Sequence, residues 1–234
     1  MTTIAANLQT VRSRISTACT AAGRDVNEVT LLPVSKTFGA DAVREAFAAG
    51  ETAFGENYIQ EAVDKQALLA DLPLEWHCIG PIQSNKTRLV AQHFAWAQSV
   101  DRLKIAQRLN EQRPPELPPL SVCIQVNIDG GPSKSGVAAP EALALAREVA
   151  QLPRLQLRGI MTIPEPAPDF GQQVAVHRRA RALFDDLRAA GLALDTLSMG
   201  MTDDLEAAIH AGSTMVRVGT AIFGARAPAQ RPHS

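Results

Sequence analysis

Cysteine is scarce in this chain of 234 residues: Cys19, Cys78 and Cys123 are an odd number without CxxC spacing. Such usage suggests neither a disulfide framework nor a zinc cage, and it fits a reducing cytoplasm. No sign of charge is in excess, with 23 Lys plus Arg against 24 Asp plus Glu, and aromatic residues make up only 4%. Without a basic run or an aromatic-rich patch, nucleic acid is set aside as a partner. Nowhere do eighteen apolar residues run together, and the opening MTTIAANLQTVRSRI has no basic start followed by an apolar core. Neither a membrane span nor a signal peptide is expected. The five histidines, at 77, 93, 177, 210 and 233, form no HxxxH or HxH pair, so metal catalysis has little support. GxSxG and GxGxxG are missing too, which removes the hydrolase elbow and the dinucleotide fold.

What is present is an alternation of periods. Eight short β-rich runs, VTLLPVS, ETAFGEN, LEWHCIG, FAWAQSV, LSVCIQVNI, LQLRGIMTI, LDTLSMG and STMVRVGTAIFG, begin near residues 29, 51, 74, 94, 120, 155, 194 and 213. Between them lie stretches at helical spacing, such as Ile59, Val63, Ala67 and Ala70, or Val176, Ala180, Leu183, Phe184 and Leu187. Eight such pairs predict a single α/β domain, a (β/α)8 TIM barrel. Asp101 and Asp203 stand at the heads of two helical stretches as candidate caps. An extra N-terminal helix within residues 1–22, marked by Ile4, Leu8, Val11 and Ile15, is expected on the barrel wall or over one end. The Pro-rich RPPELPP ends a helix and leads into the fifth strand. The barrel domain is assigned to 1–226 and a short tail to 227–234.

In this fold the working residues project from the carboxyl ends of the strands. The first run ends in Ser35 and Lys36, where burial would lower a lysine pKa and free its amine as a nucleophile; a solvated lysine at a strand end is the plainer alternative. The seventh run ends in SMGMTDD, offering the Ser198 hydroxyl and backbone amides around Met199 and Gly200. At the eighth, Gly219 would let the backbone approach an anion, and Thr220 adds an N–H and a hydroxyl. Two adjacent anion-binding turns fit one phosphate group, although each alone could be an ordinary Gly-containing turn. Asn57, Tyr58 and His77 are expected on the same rim, with Asn57 and His77 as candidate ligand contacts, although His77 alone is more often a structural histidine. GGPSKSG, with Lys134, does not have the spacing of a phosphate loop and reads as the loop after the fifth strand.

VSKT at residue 36, FGENYIQE, WHCIGPIQSNK, SKSG and SMGMTDDLEAAIHAGSTMVRVGTAIFG together resemble the YggS-like pyridoxal 5′-phosphate (PLP) homeostasis proteins over residues 30–224. Pro81 is a departure, standing where the family commonly has a larger apolar residue. The resemblance implies the barrel of fold-type III PLP proteins, with Lys36 as the lysine that forms the aldimine. It implies phosphate contacts from Ser198, Gly219 and Thr220, with Met199 and Gly200 beside them, and an approach of Arg217 to the pyridine ring; Asn57 is carried over as a further contact. It also implies a PLP carrier or vitamin B6 homeostasis factor without an established catalytic activity; the further expectation is a monomer that passes PLP to apo-PLP enzymes and does not turn over amino acids. An arginine at the ring weakens it as an electron sink. The alternatives are a minimal racemase or decarboxylase, with His77 or Tyr58 as second acid/base, and a cofactor-free Schiff-base aldolase.

Overall fold

Strands buried on both faces need apolar side chains at successive positions rather than at alternate ones, and the eight short runs satisfy that need. The computed structural model describes residues 3–131 and 135–224. Its strands are β1 Thr30–Pro33, β2 Ala53–Glu56, β3 Glu75–Cys78, β4 Trp96–Val100, β5 Leu120–Asn127, β6 Val137–Ala138, β7 Leu155–Met161, β8 Thr196–Ser198 and β9 Met215–Val218. Its helices are α1 Ile4–Ala21, α2 Ala40–Ala48, α3 Ile59–Leu68, α4 Thr87–His93, α5 Leu103–Gln112, α6 Ala142–Ala150, α7 Phe170–Ala189, α8 Leu205–His210 and α9 Thr220–Phe223.

All strand pairs are parallel, in the order β1-β9-β8-β7-β5-β4-β3-β2. A single bridge, Val34 with Gly55, brings the two ends of that order together. The expected eight-stranded barrel is therefore the observed one, and each expected run is one of its staves. The two-residue β6 was not anticipated; among the described residues it pairs with β5 alone, outside the ring, so the seventh and eighth runs are β8 and β9.

The N-terminal helix lies on the wall. Helix α9 is a single turn, and α1 packs against α8, α9 and α2 beside it. Leu8, Val11 and Ile15 are its buried face. Polar ties fix its position: Asn7 Nδ2 donates to Ile222 O at 2.8 Å, and Arg14 grips both Glu206 oxygens at 2.7 and 2.9 Å.

Two local expectations are corrected. The buried stripe of α3 is Ile59, Ala62 and Lys65, with Ala67 and Ala70 exposed, because the buried Glu56 carboxylate draws a lysine into the inward face. Neither proposed aspartate caps its helix: α5 follows Arg102, to which Asp101 is paired at 2.8 Å, and α8 follows Asp204. Asp169, not foreseen, does cap α7, accepting from Gln172 N–H at 2.9 Å. The tail expected at 227–234 lies outside the described residues.

Most of the core lies between sheet and helices, built from residues such as Leu8, Phe54, Ile105, Val122, Phe184 and Val216. Fully burying each larger side chain contributes about 1.5–3 kcal/mol. Two smaller clusters fill the barrel itself, Leu32, Val34, Ile79 and Met215 in one, and Trp96, Cys123 and Met161 in the other.

Candidate functional site

The chain leaves β1 through the closing bridge at Val34 and enters a tight turn, Ser35-Lys36-Thr37. Lys36 is half-buried there. Thr37 takes φ +68°, a conformation that costs a non-glycine residue about 1–3 kcal/mol unless its surroundings enforce it. They do so through charge. Thr37 N–H donates to Glu61 Oε1 at 2.7 Å, and Lys65 Nζ donates to Ser35 O at 2.9 Å, to Glu56 Oε1 at 2.5 Å and to Glu61 Oε1 at 3.3 Å. Ser35 Oγ donates to the same Glu56 oxygen at 2.6 Å. Burial pushes the Glu56 carboxyl above its ordinary range, and Lys65 opposes that rise without cancelling it. The other oxygen, Glu56 Oε2, is buried with no hydrogen-bond partner among the described residues. Sequence reasoning missed this pair, although FGENYIQE and the lysine four residues after Glu61 carry it.

At the same end of the barrel lie the two turns expected to bind an anion. In the first, Gly200 has φ +98°, and a Cβ there would sit 2.5 Å from Ala208 Cβ, so glycine is required twice over. The turn is tied by Arg217 N–H to Gly200 O at 2.9 Å and by Met201 N–H to Asp204 Oδ1 at 2.7 Å. Asp204 also accepts from buried His177 Nε2 at 2.8 Å. Burial alone would raise the Asp204 carboxyl; the His177 and Met201 donors outweigh it and hold the group below its ordinary 3.8. Met199 N–H is used within the sheet, donating to Met215 O at 3.1 Å.

In the second turn, Gly219 has no positive φ; a Cβ there would meet Val34 O at 3.3 Å, so its smallness lets the end of β9 lie against the strand that carries Lys36. The turns meet through hydroxyls, Thr220 Oγ1 donating to Thr202 Oγ1 at 3.2 Å. Thr202 was not among the expected residues, though it stands in the SMGMTDD run.

The remaining candidates separate. His77 lies inside the barrel, not on its rim, 1% exposed and stacked on Trp96 with ring centroids 5.0 Å apart. Its Nε2 meets Glu75 Oε1 at 2.9 Å and its Nδ1 meets Gln98 Nε2 at 3.0 Å. Ser198 is fully buried, its Oγ donating to Gln98 Oε1 at 2.6 Å and accepting from Arg217 Nη1 at 2.7 Å. Arg217 Nη2 donates to Thr162 O at 2.8 Å. Burial pushes the Arg217 guanidinium down to about 10. Asn57 is half-buried at the end of β2, where Gly80 closes on its backbone, and its Oδ1 is buried without a hydrogen-bond partner among the described residues. Tyr58 is 50% exposed at the start of α3. Lys134 lies outside the described residues.

Among the described residues no group of His, Cys, Asp and Glu could hold a metal ion, and no helix is long and apolar enough to cross a membrane. All three cysteines are free and buried, and burial raises the thiols of Cys78 and Cys123 to about 12, which leaves them unreactive.

Comparison with known proteins agrees with this fold. The family model described as alanine racemase, N-terminal domain, matches residues 3–227. A pyridoxal phosphate homeostasis protein of Pseudomonas aeruginosa is 63% identical over 226 residues, covering 97% of each chain. The structure of PipY from Synechococcus elongatus with PLP bound superposes with a TM-score of 0.83 at 37% identity, covering 94% of this chain and 100% of that one. Alanine racemase of Clostridium difficile shares the fold at TM-score 0.71 and 15% identity, over 96% of this chain and 58% of its own.

Proposed function

Since the chain belongs to the family of the alanine racemase N-terminal domain, and within it to that of the pyridoxal phosphate homeostasis proteins, we propose that it binds PLP on Lys36 and serves to hold and release it. One observation carries the reading: the Lys36 turn, the two glycine turns and the guanidinium of Arg217 are gathered by adjacent strands, β1, β8 and β9, at the carboxyl end of one barrel. When bound, PLP supplies an aldehyde that condenses with an amine, a ring that draws in electrons, and a phosphate that anchors it.

The donor set fits such a group. Lys36 offers the amine, on a turn held in place by Glu61 and Lys65. The hydroxyls of Thr220 and Thr202, with the backbone of Gly200 and Gly219, form the phosphate seat. Met199 serves that seat through its place in the sheet, whereas the Ser198 hydroxyl, expected at the phosphate, is engaged with Gln98 and Arg217 and orients Arg217 toward the ring. Asn57 contributes its orphaned Oδ1 at the rim. His77 has no place in direct contact, because both its nitrogens are engaged inside the barrel.

The relatives are named as homeostasis proteins and not as enzymes. With His77 withdrawn, the mouth loses a candidate second acid/base, which supports a carrier without turnover that passes PLP to apo-enzymes. Free buried thiols support a reducing cytoplasm as its place of work.

The test is a visible absorbance band in the PLP-loaded protein that borohydride removes. Lys36→Ala should abolish the band with the melting temperature retained, and the loaded wild type should activate an apo-PLP enzyme. A borohydride-sensitive band that persists in Lys36→Ala would overturn the assignment.

A further inference from the structure

A line of hydrogen bonds runs through the barrel between its two apolar clusters. It begins at Glu75, whose half-exposed carboxylate opens β3 at the amino end of the barrel, and passes through His77, Gln98 and Ser198 to Arg217 and Thr162 O. Its direction follows from chemistry. A guanidinium only donates, so Ser198 Oγ accepts from Arg217 and must send its own proton onward to the Gln98 oxygen. The Gln98 amide nitrogen then faces His77 Nδ1, which has to accept. The imidazole proton is left on Nε2, where the Glu75 carboxylate receives it. With a neutral imidazole the line runs in this one sense, because the flipped Gln98 amide would need a proton on both imidazole nitrogens.

Resting on the PLP reading, we propose that Gln98 is a positioning residue: its amide, locked by His77, fixes the Ser198 hydroxyl and through it the orientation in which Arg217 meets the cofactor ring. The fully buried Gln98 lies in the middle of β4, away from every turn at the mouth, and its side-chain hydrogen bonds go to His77 and Ser198 rather than to the phosphate seat. A further neighbour is Met215 Sδ, 3.2 Å from the amide nitrogen. The role therefore acts through Arg217 alone.

A cation held against the ring disfavours a proton there. Loosening Arg217 should move the pH midpoint of the loaded protein's visible band upward by about one unit or more, the scale of one lost hydrogen bond to a charged group. Gln98→Leu removes both halves of the amide and should show that shift. Nitrogen NMR of the ligand-free wild type should find His77 neutral with its proton on Nε2. Where Gln98→Leu fails to fold, Ser198→Ala breaks the same line one step nearer Arg217 and should give the same shift. A His77 proton on Nδ1, or a normally loaded variant with an unmoved midpoint, overturns the proposal alone. A wild type that takes up no PLP overturns the functional reading and the claim on the ring with it.

Discussion

Two glycines in the candidate site look alike in sequence and differ in what they do. Gly200 combines φ +98° with a close approach to Ala208 of α8, while Gly219 has ordinary backbone geometry and needs only to stay small against Val34. Gly200→Ala would add both a conformational penalty and an overlap of two Cβ atoms, and should cost roughly 2 kcal/mol or more. Gly219→Ala meets a contact only a few tenths of an ångström too tight and should cost about 1 kcal/mol or less. Urea denaturation of the two variants measures the difference, and equal losses would contradict this division of roles. Thr37 makes the converse point. A threonine at φ +68° persists because the Glu61 carboxylate holds its N–H, a cause no inspection of VSKT could have shown.

At the scale of elements, the barrel was legible because its strands are buried on both faces. FAWAQSV and LSVCIQVNI are nearly continuous apolar runs, and their helices restore the longer period. The turns after β8 and β9 could be read as tight turns as well, since Gly200 and Gly219 stand directly after the apolar runs. Polar groups facing inward could not. Lys65 stands in a helix among charged neighbours and reads as solvent-facing, and Gln98 sits in an apolar run where one amide looks incidental; only the buried partners Glu56 and Ser198 explain them. Asp203 and Asp204 are equivalent candidates in sequence for the same reason, because what separates them is His177, which lies on α7.

Asp204 has a consequence for pH. Its folded pKa is depressed, so its contribution is complete above the unfolded value near 3.8 and is lost as pH falls through the lower folded value. Asp204→Ala leaves Met201 N–H and the buried His177 ring without their acceptor, and should cost about 2–3 kcal/mol at pH 7. That gap should narrow below about pH 4, where the wild-type carboxyl also loses its charge. Asp195, which the Asp204 charge does not influence, titrates in both proteins and cancels in the difference, while Glu206 feels that charge only as the smallest of its influences. Stability curves at pH 7 and at the lowest pH where both proteins fold decide the matter; a constant gap would show that the Asp204 charge contributes nothing.

For the molecule as a whole, the question is whether its barrel can do more than bind. Racemisation needs a base on each face of the substrate α-carbon, and each such group usually contributes about 100- to 10,000-fold. Lys36 can serve one face. Of the two residues the sequence offered for the other, His77 has both nitrogens committed within the barrel and a pKa lowered mainly by burial, while Tyr58 is 50% exposed at the start of α3. Arg217, as a ring partner, would leave the ring a poor electron sink. These deficits multiply, since each lowers the rate of proton transfer at the α-carbon by its own factor. The loaded protein, incubated with each common L-amino acid, should form D-isomer, amine or keto acid far more slowly than about 1 per second, the lower end of ordinary enzyme turnover. Turnover at or above that rate, lost in Lys36→Ala, would make this an enzyme, and Tyr58→Phe would then show whether the exposed phenol supplies the missing proton.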